Sequence, residues 1–271
     1  MIEWQDEAIV LGYKSFGENK RIIFLLTNQY GRVNGLMREP KSSKLQGLAQ
    51  MGNRVIATWK GRLEEHLGYL SLEVVESFTG RLMGSAAKLL ALSSASLLTH
   101  SVFPERHPYP AVYEAFLLFL ESLKGEKWPE TYIHFEHKVL DEMGFGLKLD
   151  ACCVSGETEN LFYVSPKTGR AVSEKAASPY EERLLRLPAF LLDESLQAKD
   201  FEDLKNGFIL MDHFFKHQMT ASSYKKFTEA RGQLLRALIK LEKGRNDFIK
   251  GTLLSLEEVK RGEVTEYTVE V

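Results

Sequence analysis

The first 80 or so residues alternate between short apolar runs and turn residues. The runs lie at 8–11, 21–26, 32–37, 55–59 and 70–75, and they are rich in Ile, Val and aromatic residues. Gly, Asn or Lys/Ser pairs separate them, as is typical of β-strands joined by turns. Five strands without a long helix between them predict a small barrel.

After Ser85 the apolar residues recur every three or four positions, which predicts helices through most of 85–147 and 200–243. Pro129 is placed to begin one helix and Gly144 to end it. Residues 150–180 have no clear period, and the alternation at 266–271 is compatible with an added edge strand. The fold class is therefore α+β: an N-terminal five-stranded barrel followed by an α-helical domain with an irregular loop insertion.

The composition indicates a folded protein, with 44% hydrophobic residues in a chain of 271, enough for two domains or one large one. The adjacent Cys152 and Cys153 are poorly placed to bridge each other, which favours a reducing compartment. The first residues lack the apolar core of a signal peptide, and the longest fully apolar run, 115–120, is too short for a membrane span. We expect a cytoplasmic protein with no membrane partner.

Positive charge is concentrated in residues 14–62. This window has ten basic and two acidic residues, a net +8 in a chain of net −2, so the remainder carries −10. Such a surface would bind a phosphate backbone in a salt-sensitive way, and Phe16, Tyr30 and Trp59 are candidates for base stacking. Exposed strand cations are also common without any ligand, and Trp59 is more often a core residue. The predicted DNA contacts are Lys14, Lys20, Arg21, Arg32, Arg38, Lys41, Lys44, Arg54, Lys60 and Arg62.

Familiar catalytic motifs are absent from the sequence. It contains no phosphate-binding Gly-rich loop ending in Gly-Lys-Ser/Thr, no Gly-x-Gly-x-x-Gly after a strand, and no His-Glu-x-x-His. Glu136-His137-Lys138 matches the end of a nuclease motif but lies in a helical pattern, and we interpret it as a surface face. We therefore predict no enzymatic activity and no cofactor.

The order and spacing of several segments resemble the RecO family of recombination mediators. Tyr-Gly-Arg-Val at 30–33, Lys-Ser-Ser-Lys-Leu-Gln-Gly at 41–47 and Met-Gly-Phe-Gly-Leu at 143–147 are among them. The similarity extends from the start of the chain to about residue 245. The other matching segments are 7–11, 16–18, 25–27, 72–78, 135–136, 148–150 and 163–172.

The resemblance implies an OB-fold at 1–80 and a helical domain at 81–245, followed by an extension of unknown role at 246–271. It implies a role in DNA repair and recombination after DNA damage. The protein would bind single- and double-stranded DNA, anneal complementary strands and help to load RecA onto coated single strands. The implied location is the nucleoid. The implied partners are RecR, RecA indirectly, and the acidic C-terminal tail of single-stranded DNA-binding protein, placed near His134, Phe135 and Lys138. A simple core position is an equally good interpretation of Phe135.

Two features depart from the family pattern. Many relatives have two Cys-x-x-Cys pairs that form a zinc site in the loop at 150–177, whereas here Cys152 alone remains at the four ligand positions. We therefore predict no bound metal and a loop held by packing around Tyr163 and Val172. Glu39 also reduces the positive charge beside the predicted DNA contacts. An OB-fold module that binds an acidic protein, or an enzyme with an unrecognised site, remains an alternative.

Overall fold

The computed structural model describes residues 1–38, 47–63, 66–178 and 180–245, with side chains as far as residue 242. The predicted contacts Lys41 and Lys44, Glu39 and the predicted edge strand at 266–271 lie outside the described residues. The chain divides into two compact units, Met1–Leu234 and Leu235–Val271, and only 235–245 of the second are described. The domain ranges 1–80, 81–245 and 246–271 stay predictions.

Five strands form the predicted barrel, which confirms the expected N-terminal architecture. Each predicted apolar run lies within one of them. The barrel closes in the order β1-β2-β3-β5-β4, the order of an OB-fold, with β3 and β5 parallel and the other neighbouring pairs antiparallel. The strands are β1 (Ile2–Ser15), β2 (Lys20–Thr27), β3 (Gly31–Arg38), β4 (Arg54–Gly61) and β5 (Gly68–Glu76).

Strand β1 is much longer than the apolar run at 8–11 that predicted it. Its first half pairs with β4, from Ile2 opposite Gly61, and its second half pairs with β2, as far as Ser15 opposite Arg21. Ala8 and Ile9 pair with both strands, and a bulge follows between Val10 and Gly12. Bulges bend a strand, so one strand can serve two neighbours and close the barrel.

Alternate strand residues fill the barrel. The buried set includes Ile23, Leu25, Val33 and Trp59, all at most 1% exposed. The alternating residues that face outward are polar or partly exposed, which is why a two-residue period was visible in the sequence.

Helices dominate the described residues after the barrel, as expected. Pro129 lies in the first turn of its helix, as predicted, and Gly144 takes a left-handed φ of 87° just beyond the end of that helix. The α-helices are α1 (Thr79–Leu82), α2 (Ala86–Val102), α3 (Pro110–Ser122), α4 (Trp128–Leu140), α5 (Glu174–Ala177), α6 (Phe201–Gln218) and α7 (Ala221–Arg245). A π-helical turn covers Asp141–Phe145, and 3₁₀ turns cover Glu181–Arg183 and Ala189–Leu191.

Aromatic side chains form the core between these helices. Phe116 and Phe119 of α3 pack against Phe135 of α4, with ring centroids 5.1 and 6.0 Å apart. Tyr132 stacks on Phe208 of α6 at 5.8 Å. All five are at most 2% exposed, so each contributes a large buried apolar area.

The irregular insertion contains a small antiparallel sheet in the order β7-β6-β8. Its strands are β6 (Leu161–Val164), β7 (Ala171–Ser173) and β8 (Leu185–Arg186). Tyr163 lies opposite Val172, and both are 4% exposed. Both residues are thus buried, as the predicted packing anchors of the loop would be. Within the described ranges, no helix is both long and apolar enough to cross a membrane.

Candidate nucleic-acid interface

Cations from the predicted window meet at one end of the barrel. Lys14 lies at the end of β1 and is exposed, and Ser15 beside it lies opposite Arg21. Lys20 begins β2 and lies opposite Arg38, the exposed last residue of β3. These positive charges are therefore neighbours through strand pairing, although the turns between them keep them apart in sequence.

Two further predicted contacts, Lys60 and Arg62, come from the end of β4, which pairs with the first residues of β1 and so lies away from Lys14 at the other end of that strand. Lys60 lies opposite Tyr69 of β5, and Tyr69 in turn lies opposite Leu36 of β3. Lys60 forms a half-exposed ion pair with Glu3, at 2.9 Å, and Arg62 follows the strand as an exposed residue. An exposed ion pair of this kind contributes little to stability, so a DNA phosphate can take the place of the Glu3 carboxylate. We call the four cations at the joined ends of β1, β2 and β3 the barrel-end cluster: Lys14, Lys20, Arg21 and Arg38.

Exposed aromatic rings accompany this cluster. The Tyr13 and Phe16 side chains are each 49% exposed and Tyr69 is 56% exposed. The Arg21 guanidinium lies 4.4 Å from the centre of the Tyr13 ring. Sequence analysis did not select Tyr13 or Tyr69. Their proximity to cations depends on cross-strand register, which becomes readable only when the strand pairing is known.

Arg32 was predicted to contact DNA from an exposed surface, but its side chain is mostly buried and bonded to other parts of the protein. Its side chain is 11% exposed; Nε donates to the carbonyl of Phe103 at 3.0 Å, and Nη1 lies 3.1 Å from Nδ1 of His100. Since a guanidinium donates, Nδ1 of His100 accepts. Burial lowers the pKa of Arg32, and Glu105, 3.5 Å away, partly offsets this. Arg32 fastens the barrel to the loop after α2.

Arg54 is likewise engaged within the protein. Its Nη2 and Nε donate to one carboxylate oxygen of Glu7 at 2.7 and 3.1 Å, across the β1–β4 pair. The hydrogen bonds that Arg54 donates to Glu7 raise the pKa of Arg54 more than its partial burial lowers it. We therefore leave Arg32 and Arg54 out of the barrel-end cluster.

The predicted partner-binding residues do not form one exposed groove. Phe135 is 1% exposed and belongs to the aromatic core, as the alternative interpretation held. The His134 ring packs edge-on against Phe190, and burial lowers its pKa. Lys138 reaches the surface and pairs with Asp141 at 3.2 Å.

Glu136 corrects one interpretation made from the sequence. The segment 136–138 was expected to form a surface face, but Glu136 is fully buried. Its two oxygens accept hydrogen bonds from Nε and Nη2 of Arg231, each at 2.7 Å. The partner lies 95 residues further along the chain, so local sequence gave no sign of it. This carboxylate is structural.

The loop at 150–177 does not provide the ligands of the family zinc site. The Cys152 thiol is buried and accepts hydrogen bonds from the backbone N–H groups of Ser155 and Ser173, at 3.4 and 3.2 Å. Burial alone would raise its pKa, but these hydrogen bonds lower the pKa to about 6. Hydroxyls in place of thiolates do not suit a structural zinc ion. Among the described residues no three His, Cys, Asp or Glu side chains cluster as a metal site.

Comparison with known proteins identifies the family. The model "Recombination protein O N terminal" matches residues 1–78, and "Recombination protein O C terminal" matches residues 83–226. The "DNA repair protein RecO" of Rhodospirillum centenum is 40% identical over 232 residues, covering 85% of this chain and 92% of the relative. That of Bartonella quintana is 40% identical over 216 residues, covering 79% and 88%. The barrel is the OB-fold of the family's N-terminal domain, and the chain belongs to the RecO family of DNA repair proteins.

Proposed function

We propose that this chain is a recombination mediator that binds single- and double-stranded DNA, anneals complementary strands and helps to load the RecA recombinase onto coated single strands. It does so without catalysing a reaction. The observation that supports this most directly is the barrel-end cluster, four cations beside exposed aromatic rings on an OB-fold.

Annealing requires a surface of this kind. Two DNA strands repel each other because both are polyanions, and a protein without an energy source can help only by neutralising phosphates and holding the strands together. The net charge of the chain is −2, so a local cluster must supply the positive potential. Binding of phosphates releases counterions, which makes the affinity depend steeply on salt.

Charge reversal tests the DNA-binding surface. The variant Lys14→Glu/Lys20→Glu/Arg38→Glu should weaken binding to oligonucleotides of every sequence and slow annealing. The slope of log affinity against log salt for single strands should fall by about 2, since each lost phosphate contact removes about 0.7. Fluorescence anisotropy at several salt concentrations measures both quantities. The three side chains are exposed or partly exposed, so the fold should remain intact.

A matched control comes from the helical region. Arg183, Lys199 and Lys216 are exposed, and reversing all three produces the same change in net charge. This control should retain most of the affinity and the annealing rate. Equal losses in the two variants would show that the barrel end is not the main DNA site.

The protein partners follow from the family resemblance. We propose binding to RecR and to the acidic C-terminal tail of single-stranded DNA-binding protein, with association with the nucleoid as a consequence. With Phe135 in the core, the receptor for the tail would use surface residues beside His134 and Lys138. Titration of a tail peptide against Lys138→Glu should show weaker binding, whereas Lys127→Glu, an exposed control, should bind normally. Equal affinity of both variants would count against this placement.

The alternative is an OB-fold module whose cations meet an acidic protein and not DNA. The charge-reversal variant distinguishes the two functions. If the wild-type protein binds an acidic peptide through the barrel-end cluster but binds no oligonucleotide at low salt, the mediator proposal fails and the alternative stands.

A further inference from the structure

A column of aromatic rings extends from the barrel interior to the surface, away from the residues proposed above. The Trp4 ring stacks on Tyr30, with centroids 4.2 Å apart and planes 12° from parallel. Trp4 also lies 5.9 Å from Trp59, with planes 9° apart. The guanidinium of Arg106 lies 5.3 Å from the Trp59 ring centre. The three rings are thus nearly parallel, like stacked bases.

Trp59 forms the closed end of this column. It is fully buried, and a Cβ added to Gly61 or Gly68 would come within 2.2 or 2.3 Å of its ring. Its indole Nε1 is buried without a hydrogen-bond acceptor among the described residues. No ligand can reach Trp59 without displacing the barrel wall. Tyr30, 36% exposed, is the outermost ring and the one available to a ligand.

The turn that carries Tyr30 is held by a network of hydrogen bonds. The Thr27 hydroxyl accepts from the backbone N–H of Tyr30 at 3.0 Å and donates to the carbonyl of Gly31 at 2.9 Å. The 7%-exposed carboxylate of Asp6 accepts from the N–H of Gln29 at 2.7 Å. The ring is therefore fixed before any ligand arrives, which reduces the entropy lost on binding.

The column is flanked by positive charge. Arg106 donates from Nη2 to the carbonyl of His66 and takes a left-handed φ of 62°, which is unusual for a residue other than glycine. Arg62 lies exposed in the same β4–β5 connection as His66. Arg106 also donates its backbone N–H to the carbonyl of Arg32, two residues after Tyr30, at 2.8 Å. Trp4 lies opposite Trp59, three residues before Arg62, so both cations belong to the same end of the barrel as Tyr30.

We propose that Tyr30 is a stacking platform for an unpaired nucleobase of single-stranded DNA. This inference rests on the proposed function and deepens it, because it adds a contact to the bases where the barrel-end cluster contacts phosphates. A base has a planar π-face of matching size, and its phosphate is the anion for which Arg62 and Arg106 are suited. Paired bases are already stacked within a duplex, so the platform favours single strands over duplexes.

The test separates stacking from charge. Binding is measured for three probes at one salt concentration: a labelled oligothymidylate, an abasic oligonucleotide of the same length, and a duplex. Tyr30→Ala should weaken oligothymidylate binding by roughly five- to a hundredfold, the usual cost of removing one stacking residue. Its affinity for the abasic strand and the duplex should be unchanged, as should the slope of log affinity against log salt.

Two variants serve as controls. Tyr30→Trp keeps a stacking ring and should retain the affinity for oligothymidylate, and Tyr180→Ala removes a 59%-exposed tyrosine elsewhere and should have no effect. Thermal unfolding of Tyr30→Ala establishes that the barrel remains folded.

The possible failures are distinguishable. If the wild-type protein binds none of the probes, the proposed function fails. If reversal of the barrel-end cluster weakens binding but Tyr30→Ala binds oligothymidylate like the wild type, only the platform is refuted. A loss that is equal on all three probes also overturns it, because stacking requires a base.

Discussion

The buried ion pair between Glu136 and Arg231 leads to a sharp stability prediction. Two hydrogen bonds of 2.7 Å join the carboxylate to the guanidinium, and Nη2 of Arg231 also donates to the carbonyl of Phe208 at 2.9 Å. The side chains are 0% and 4% exposed. The guanidinium also packs over the rings of Phe208 and Phe227. One side chain therefore connects α4, α6 and α7.

Removing one partner of this ion pair should strongly destabilise the fold. Arg231→Met keeps much of the apolar volume but leaves Glu136 buried without compensation, which should lower the free energy of unfolding by about 3–5 kcal/mol. In a protein of this size the melting temperature should fall by roughly 6–20 °C. The double variant Glu136→Leu/Arg231→Met should recover most of this loss, because buried ion pairs replaced by apolar side chains are often nearly neutral.

Urea titration followed by circular dichroism measures the free energies in a double-mutant cycle. Asp212, 3.6 Å from Nη1 of Arg231 and 39% exposed, provides a control. Asp212→Asn should change stability far less than Arg231→Met, because water solvates the carboxylate. If Arg231→Met unfolds within about 1 kcal/mol of the wild type, or if the effects of the Glu136 and Arg231 changes simply add, the ion pair does not have the role assigned to it.

Three shorter predictions concern other parts of the chain. Elemental analysis of purified protein should show no stoichiometric zinc; about one equivalent held by Cys152 would contradict the ligand argument. In the folded protein the pKa of the Cys152 thiol is lowered to about 6, so the thiolate stabilises the fold fully above the pKa of the unfolded chain, and this contribution should decline as the pH falls towards 6. In Cys152→Ala, the free energy of unfolding measured in urea should therefore depend less on pH over that range. Gly31→Ala should severely destabilise the barrel in thermal melts, because φ is +69° and the new Cβ would lie 1.9 Å from the carbonyl oxygen of His107; near-normal melting would refute this.

The strands and helices were predictable because burial follows local periodicity. One face of each barrel strand fills the interior, so residues such as Ile23 and Leu25 alternate with partly exposed neighbours. The extent of β1 was not predictable in the same way. Its first residues, 2–7, are mostly polar, with only Ile2 and Trp4 packed against the barrel core, and pairing with β4 holds them in the strand.

The candidate site was only partly predictable, because charge has no period. Arg32 and Arg38 look alike in sequence, but the first is bonded to Phe103, 71 residues later, and the second is exposed at a strand end. Glu136 was assigned to the surface for the same reason. The fate of a charged side chain depends on its tertiary partners, whereas an apolar residue in a regular pattern indicates its own burial.

Not every basic residue of the sequence window is free to contact DNA, and this leads to a final prediction about the salt dependence of binding. The sequence window contains ten basic residues, which would give a slope of about 7 for single strands if each neutralised one phosphate. The four of the barrel-end cluster give about 2.8, because Arg32 and Arg54 are engaged within the protein, Lys60 and Arg62 lie away from the cluster, and Lys41 and Lys44 lie outside the described residues. If residues 39–46 also contact DNA, the slope should approach about 4.2, and Lys41→Gln/Lys44→Gln should lower it by about 1.4. A slope near 7 that falls on neutralising Arg32 or Arg54, without loss of stability, would show that these arginines leave their internal partners to bind DNA.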